Sequence, residues 1–170
     1  MAELIVLSGG QSGVDRAALD AAIVLGIEYG GWCPKGGWAE DYPVPPGVLA
    51  KYPLLRETPS ADPAERTEWN VRDADASLIL VDAAGAAVSR GTALAETLAA
   101  RYGKPLLVVD VGAADAVMHA SDWLAALMVA HGGDAPFRLA IGGPRESEAR
   151  EIYGKAKAFV RDLLQAVAGA

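Results

Sequence analysis

The sequence predicts a three-layer α/β fold, a mostly parallel sheet of about five or more strands with helices on both faces. Three observations predict it. Short, continuous apolar runs such as Leu4-Ile5-Val6-Leu7 and Leu106 to Asp110 suit strands buried on both faces. Between the runs lie segments whose apolar residues recur at helical spacing, and the strand-to-helix turns are rich in glycine. The regular alternation implies right-handed βαβ crossovers.

Leu4 to Leu7 is the first strand and ends in Ser8-Gly9-Gly10. A helix follows from Val14 to Leu25, with Val14, Ala17, Ala18, Ala21, Ala22 and Leu25 on one face; Ser12 and Asp15 form a capping-box pattern at its start, and Gly26 ends it. Tyr29 to Cys33 reads as a second strand. Pro34 through Gly47 holds too much proline and glycine for regular structure and reads as a long, ordered loop. Lys51 to Glu57 is a short extended segment. Asp62-Pro63-x-Glu65 then supplies an N-cap, a proline at N1 and an acidic third residue for a helix to about Ala74. Ser77 to Val81 is a strand, the residues from Arg90 to Gly103 a helix, and Leu106 to Asp110 the next strand. Ala113 to His131 reads as mostly helical with a break near Ser121. Phe137 to Ile141 is the last strand, and a terminal helix runs from about Ser147 to Val167. With 170 residues, no repeat and no linker, the chain is expected to form one domain over residues 1–170.

Composition narrows the function. Fifteen Lys+Arg against 22 Asp+Glu leave a net charge of −7, which disfavours nucleic acid and anionic membrane surfaces. No apolar stretch reaches the roughly 18 residues of a membrane span, the N-terminus lacks the regions of a signal peptide, and the single Cys33 cannot form an intrachain disulfide, so the expected location is cytoplasmic.

In a parallel sheet the strand-to-helix loops gather at the carboxyl edge, where ligands bind. Four loops here combine glycine with a cation: residues 8–16, 31–41, 83–92 and 142–147. Glycine admits close backbone approach, helix N-termini offer N–H groups, and Arg or Lys adds charge-assisted hydrogen bonds, a combination that suits phosphate. Familiar nucleotide motifs are missing. There is no G-x-x-x-x-G-K-[ST] run, and the dinucleotide fingerprint is incomplete, with Trp32-Cys33-Pro34 where a ribose-binding carboxylate is expected. His119 and His131 lack partners at zinc-ligand spacing, and no G-x-S-x-G surrounds a serine. On the helix near residue 70, Arg66, Asn70 and Asp73 share a face, while Glu68 and Arg72 can pair on another. Trp32 and Trp38 flank the Lys35 loop; their indoles suit either packing of that loop or stacking on a flat heterocycle. Cys33 suits a small core residue or a soft metal ligand.

Together, Gly9-Gly10-Gln11-Ser12-Gly13-Val14-Asp15-Arg16-Ala17-Ala18-Leu19-Asp20, Gly31-Trp32-Cys33-Pro34-Lys35-Gly36, Arg66-Thr67-Glu68-Trp69-Asn70-Val71-Arg72-Asp73, Gly91-Thr92-Ala93-Leu94 and Gly142-Gly143-Pro144-Arg145-Glu146-Ser147 resemble the molybdenum carrier family over nearly the whole chain. This is the circularly permuted YpsA-like branch of the SLOG, or lysine decarboxylase-like, superfamily, whose better-studied members are molybdenum-cofactor carriers. The resemblance implies a Rossmann-like fold, a homo-oligomer (dimer or tetramer), a small phosphate-bearing ligand and contact with molybdoenzymes. That ligand is expected to be molybdenum cofactor (molybdopterin), a phosphorylated pyranopterin with a dithiolene-bound metal. Carried over motif by motif, phosphate contact falls to Gly10, Gln11, Ser12, Gly13, Arg16, Gly91 and Thr92, with Lys35, Arg66, Arg72 and Arg145 as cationic partners; no residue is assigned a catalytic or metal-ligating role. The related phosphoribohydrolases, which cleave nucleoside monophosphates, carry P-G-G-x-G-T-x-x-E. Here Ser89-Arg90-Gly91-Thr92 lacks the Pro-Gly-Gly, and Glu96 follows Thr92 by four residues rather than three, a rotation of about 100° on a helix. A carrier or binding role is therefore favoured over hydrolysis, with a nucleotide-sensing module as the third alternative.

Overall fold

The computed structural model describes residues 3–82 and 90–168. Its elements are β1 (Leu4–Leu7), α1 (Val14–Val24), β2 (Glu28–Gly30), β3 (Trp32–Cys33), β4 (Arg56–Glu57), α2 (Pro63–Asp73), β5 (Ala76–Val81), α3 (Arg90–Tyr102), β6 (Leu106–Asp110), α4 (Ala116–His131), β7 (Phe137–Gly142) and α5 (Ile152–Ala168). Five strands form one sheet in the order β2-β1-β7-β5-β6, every pair parallel. The result is a Rossmann-like three-layer α/β fold, as the alternation predicts.

Period-two alternation sorts the side chains. Val6, Leu78, Leu80, Leu139 and Ile141 face α1, α4 and α5 in the main core. On the opposite face, Ile79 meets Val71 of α2 and Leu98 of α3. The proline- and glycine-rich stretch after β3 is ordered as expected, through 3-10 turns at Lys35–Gly37 and Gly47–Ala50, and its Val48 and Tyr52 pack with Leu19 and Cys33 in a second small core.

Several boundaries differ from the sequence reading. The predicted Tyr29 to Cys33 strand divides at Gly31: β2 stays in the main sheet, whereas β3 leaves it to pair with β4. Gly31 has φ 119°, and a Cβ there would lie 2.3 Å from the carbonyl oxygen of Ser8, so the crossing demands glycine. The extended segment from Lys51 shrinks to Arg56–Glu57. Helix α4 begins at Ala116 and runs unbroken through Ser121, because Ala120 and Leu124 on either side of it are fixed in the core. Helix α5 begins at Ile152 rather than Ser147: the Glu146 carboxylate accepts the N–H groups of Glu151 and Tyr153 and so sets the helix start further on. At α2 the cap is as predicted, with Asp62 accepting the Ala64 N–H at 2.9 Å.

Candidate functional site

Strand β7 lies between β1 and β5, and the connections from those neighbours run to opposite edges of the sheet over opposite faces. That makes the carboxyl ends of β1, β7 and β5 the switch point where an α/β sheet opens a crevice. Of the loops expected there, those after β1 and β7 are described. Ser89 and its preceding residues lie outside the described residues, while Arg90, Gly91 and Thr92 open α3, Thr92 with its side chain buried.

The β1 and β7 loops touch through backbone. Gly13 takes the N-cap position of α1 with φ 76° and ψ −129°, and the Val14 N–H donates to the Pro144 carbonyl at 3.2 Å. The expected Ser12/Asp15 capping box does not form, because both side chains are used elsewhere. Ser12 donates its hydroxyl to Glu40 and accepts the Glu146 N–H at 3.2 Å. Glu40 also accepts the Ser147 hydroxyl at 2.6 Å and the Ser147 N–H at 3.2 Å, so one carboxylate ties three loops. Partial burial pushes the Glu40 carboxyl up, but the bonds from Ser12 and Ser147, with Arg145 nearby, outweigh it and hold the group below its ordinary value. Gln11 adds a second tie: its Oε1 accepts the N–H groups of Ser12 and Glu40.

Arg16 is buried and heavily engaged. It grips both oxygens of Asp41 at 2.8 and 3.0 Å, donates twice to the Gly10 carbonyl, and lies over the rings of Tyr42 and Tyr52. Four of its five N–H groups are thus used inside the chain. Burial raises the Asp41 carboxyl, yet the Arg16 hydrogen bonds and charge bring it below the usual range.

Arg66 reaches the same loop from α2. Its Nη1 donates to Oδ2 of Asp15 at 2.8 Å beneath Gly9, where an added Cβ would sit 2.1 Å from that Nη1. Asp15 is 3% exposed; burial pushes its carboxyl up, and this outweighs the opposing pull of the Arg66 charge and the Gln11 backbone N–H. The Nε of Arg66 and the Oγ of Ser77 are buried with no partner among the described residues, and both residues border a cavity of about 50 Å³. Ala95, three residues after Thr92, lines the same cavity, whereas Glu96 is exposed.

Arg66, Asn70 and Asp73, expected to share one face of α2, do so, and that face turns inward. Asn70 pairs with the backbone of Trp32, accepting its N–H and donating to its C=O, both at 2.9 Å, and Asp73 accepts the Trp32 indole N–H at 2.7 Å. The Glu68–Arg72 pair is not formed. Glu68 accepts the Tyr102 hydroxyl and approaches Arg101, while Arg72 binds Asp73 and covers Trp69, about 9 Å along the helix from Arg66. Lys35 is exposed on its 3-10 turn, and Arg145 lies 5.7 Å from the Trp38 ring. Trp32 and Trp38 therefore point to different partners, and Cys33 is a core residue whose thiol is pushed up by burial to about 11. Among the described residues no group of His, Cys, Asp and Glu is arranged to hold a metal ion.

Residues 6–164 match the family described as circularly permutated YpsA SLOG. The crystal structure of a protein from Syntrophus aciditrophicus SB, named "putative molybdenum carrier protein", is 38% identical, covering 98% of this chain and 95% of that one with a TM-score of 0.77. No curated protein matches the chain.

Proposed function

Because the chain belongs to the circularly permutated YpsA SLOG family, we propose that it holds a small phosphate-bearing ligand at the carboxyl edge of its sheet, and that this ligand is molybdenum cofactor, carried and not transformed. The observation that carries the reading is Arg66. Beside Gly9, at the switch point, this guanidinium gives one N–H to Asp15 and keeps a buried Nε without an acceptor. An unpaired buried donor is costly, and an anionic oxygen is the acceptor that offsets most of the cost. In this reading the backbone N–H groups of Gly10 to Gly13 and Gly91-Thr92 meet the phosphate end of such a ligand, and Lys35 and Arg145 are its further cationic partners. Arg16 acts mainly through Asp41, and Arg72 stands furthest from the loops. The metal needs no ligand from the chain, since the pterin dithiolene holds it. The name borne by the solved relative supports the choice of cargo.

In this reading the chain works in the cytoplasm as a homo-oligomer and passes the cofactor to molybdoenzymes. No helix among the described residues is long and apolar enough to cross a membrane. A carrier rather than a phosphoribohydrolase is favoured because Ala95 occupies the buried position three residues after Thr92 and Glu96 faces solvent. Incubation with a panel of nucleoside monophosphates should release no free base, and release would overturn the carrier reading. Arg145→Ala is expected to weaken binding of the phosphorylated pterin by about ten- to 150-fold, one charged hydrogen bond, while leaving the melting temperature unchanged. Equal affinity in wild type and variant would remove Arg145 from the site.

A further inference from the structure

The sheet face that α2 and α3 cover over β7, β5 and β6 is only partly covered over β1 and β2, where Leu7 is buried against Ala74 and Ala140 while Ile5 is half-buried. By register this face carries Ile5 and Leu7 of β1, Glu28 and Gly30 of β2, and Arg138 of β7. A cleft of about 540 Å³ opens there, floored by Ile5 and Leu7 and walled by Trp32, Leu54, Arg56 and Arg138. That volume is in the range of small-molecule sites.

Three features define its chemistry. Trp32 is held rigidly: its indole N–H is bound to Asp73, it packs edge-to-face with Trp69 at 4.6 Å, and its backbone is clamped by Asn70. An aromatic wall fixed in advance loses no rotamer freedom when a second ring packs on it. Arg56 and Arg138 form no ion pair with any described residue; Arg56 has only the Trp32 ring, 5.7 Å away, and Asp75 takes the Arg138 backbone N–H, not its guanidinium. Of the two carboxylates at the cleft, Asp73 is paired with Arg72 and also feels the charge of Arg138, so Glu28 and Asp73 stand against Arg56, Arg72 and Arg138, a local excess of one positive charge. Gly30 makes the depth, because β2 places no side chain over the floor at that position.

We propose that this cleft is a second binding site, apart from the loops that follow β1 and β7, for a small aromatic carboxylate whose ring lies on Ile5, Leu7 and Trp32 and whose anionic group meets Arg56 and Arg138. A second copy of the chain is the poorer occupant. A two-fold interface would set the concavity against itself and leave a void.

The test uses 2-naphthoate, its cationic counterpart 2-naphthylmethylammonium and the neutral 2-naphthalenemethanol, followed by methyl NMR of the intact chain. Naphthoate should bind with the tightest affinity of the three and shift the Ile5 and Leu7 methyls. Arg56→Gln with Arg138→Gln should weaken naphthoate by about tenfold or more, with the neutral alcohol unaffected. Gly30→Val should abolish binding of all three. It is compatible with the fold because a Cβ at Gly30 makes only ordinary contact, 3.6 Å from Leu7, and should it fail to fold the arginine pair still decides. No binding at millimolar probe, equal affinity for the cation, or shifts at other methyls overturns the proposal. Methyl shifts that follow protein concentration alone would give the face to self-association and overturn it as well.

Discussion

Arg66→Ala is expected to cost about 3–5 kcal/mol of folding stability at neutral pH, the largest single effect among the charged residues. Asp15 is 3% exposed, and among the described residues Arg66 is its only ion-pair partner, at 2.8 Å. Removing the guanidinium leaves a buried carboxylate with only the Gln11 backbone N–H and the more distant Arg16 charge to stabilise it among the described residues. The 16% exposure of the Arg66 side chain and the option of protonating Asp15 place the loss at the lower end of that range. The pH dependence has a definite sign. Burial already holds the folded-state pKa of Asp15 above its ordinary value despite Arg66, so its contribution to stability is lost as pH rises through the folded value. Loss of Arg66 raises that value further. The deficit of the variant should therefore be smaller at about pH 4 than at about pH 7. Urea unfolding at both values checks it, and Asp15→Asn added to Arg66→Ala should recover most of the loss at neutral pH. A deficit independent of pH, or a double variant as weak as the single one, would contradict this role for the pair.

Gly13→Ala should cost about 2–4 kcal/mol and separate the loops that follow β1 and β7. The backbone conformation at Gly13, φ 76° and ψ −129°, is unfavourable for any residue with a Cβ. The added methyl would also lie 2.4 Å from the Pro144 carbonyl oxygen and 2.8 Å from the Glu146 nitrogen, both backbone atoms of a loop already tied down by Glu40 and Ser12. Gly26→Ala is the matched control: φ is 68° there and nothing lies within 4 Å of the new Cβ, so conformational strain acts alone, at about 1–2 kcal/mol. Thermal or urea unfolding of the two variants compares them directly. A Gly13 variant no weaker than the Gly26 variant would show that the junction yields more easily than its geometry implies. Ligand affinity should fall in the Gly13 variant and stay unchanged in the other.

What could be read from the sequence follows from range. Strand and helix identities rest on local periodicity, and Leu106 to Asp110 or the Asp62-Pro63 helix start come out as predicted because the deciding residues are neighbours. The common face of Arg66, Asn70 and Asp73 on α2 was legible for the same reason, since helical spacing fixes them on one side, whereas its inward direction was not. Partners were not legible. Ser12 and Asp15 have the spacing of a capping box, but Glu40 lies 28 residues from Ser12, and Arg66 lies 51 from Asp15. No local pattern announces either contact. The placement of β7 beside β1 is of the same kind, and it brings the Arg145 loop onto Gly13. Glu40 was legible only as one carboxylate among several, and its role as the tie between three loops depends on that long-range packing. Gly31 fell inside the strand expected from Tyr29 to Cys33, whereas in the fold it parts β3 from the main sheet and seats Trp32 on Asn70.

The proposed function rests on molybdenum cofactor being held by the carboxyl-edge loops. Its most direct test is to isolate the protein, reconstitute it with the cofactor, oxidise what remains bound to the fluorescent pterin and measure molybdenum in the same sample. Pterin and molybdenum retained together in equal amounts, and both lost in the Gly13 variant, are the predicted result. A folded protein that retains neither, whether as isolated or after reconstitution, would contradict it.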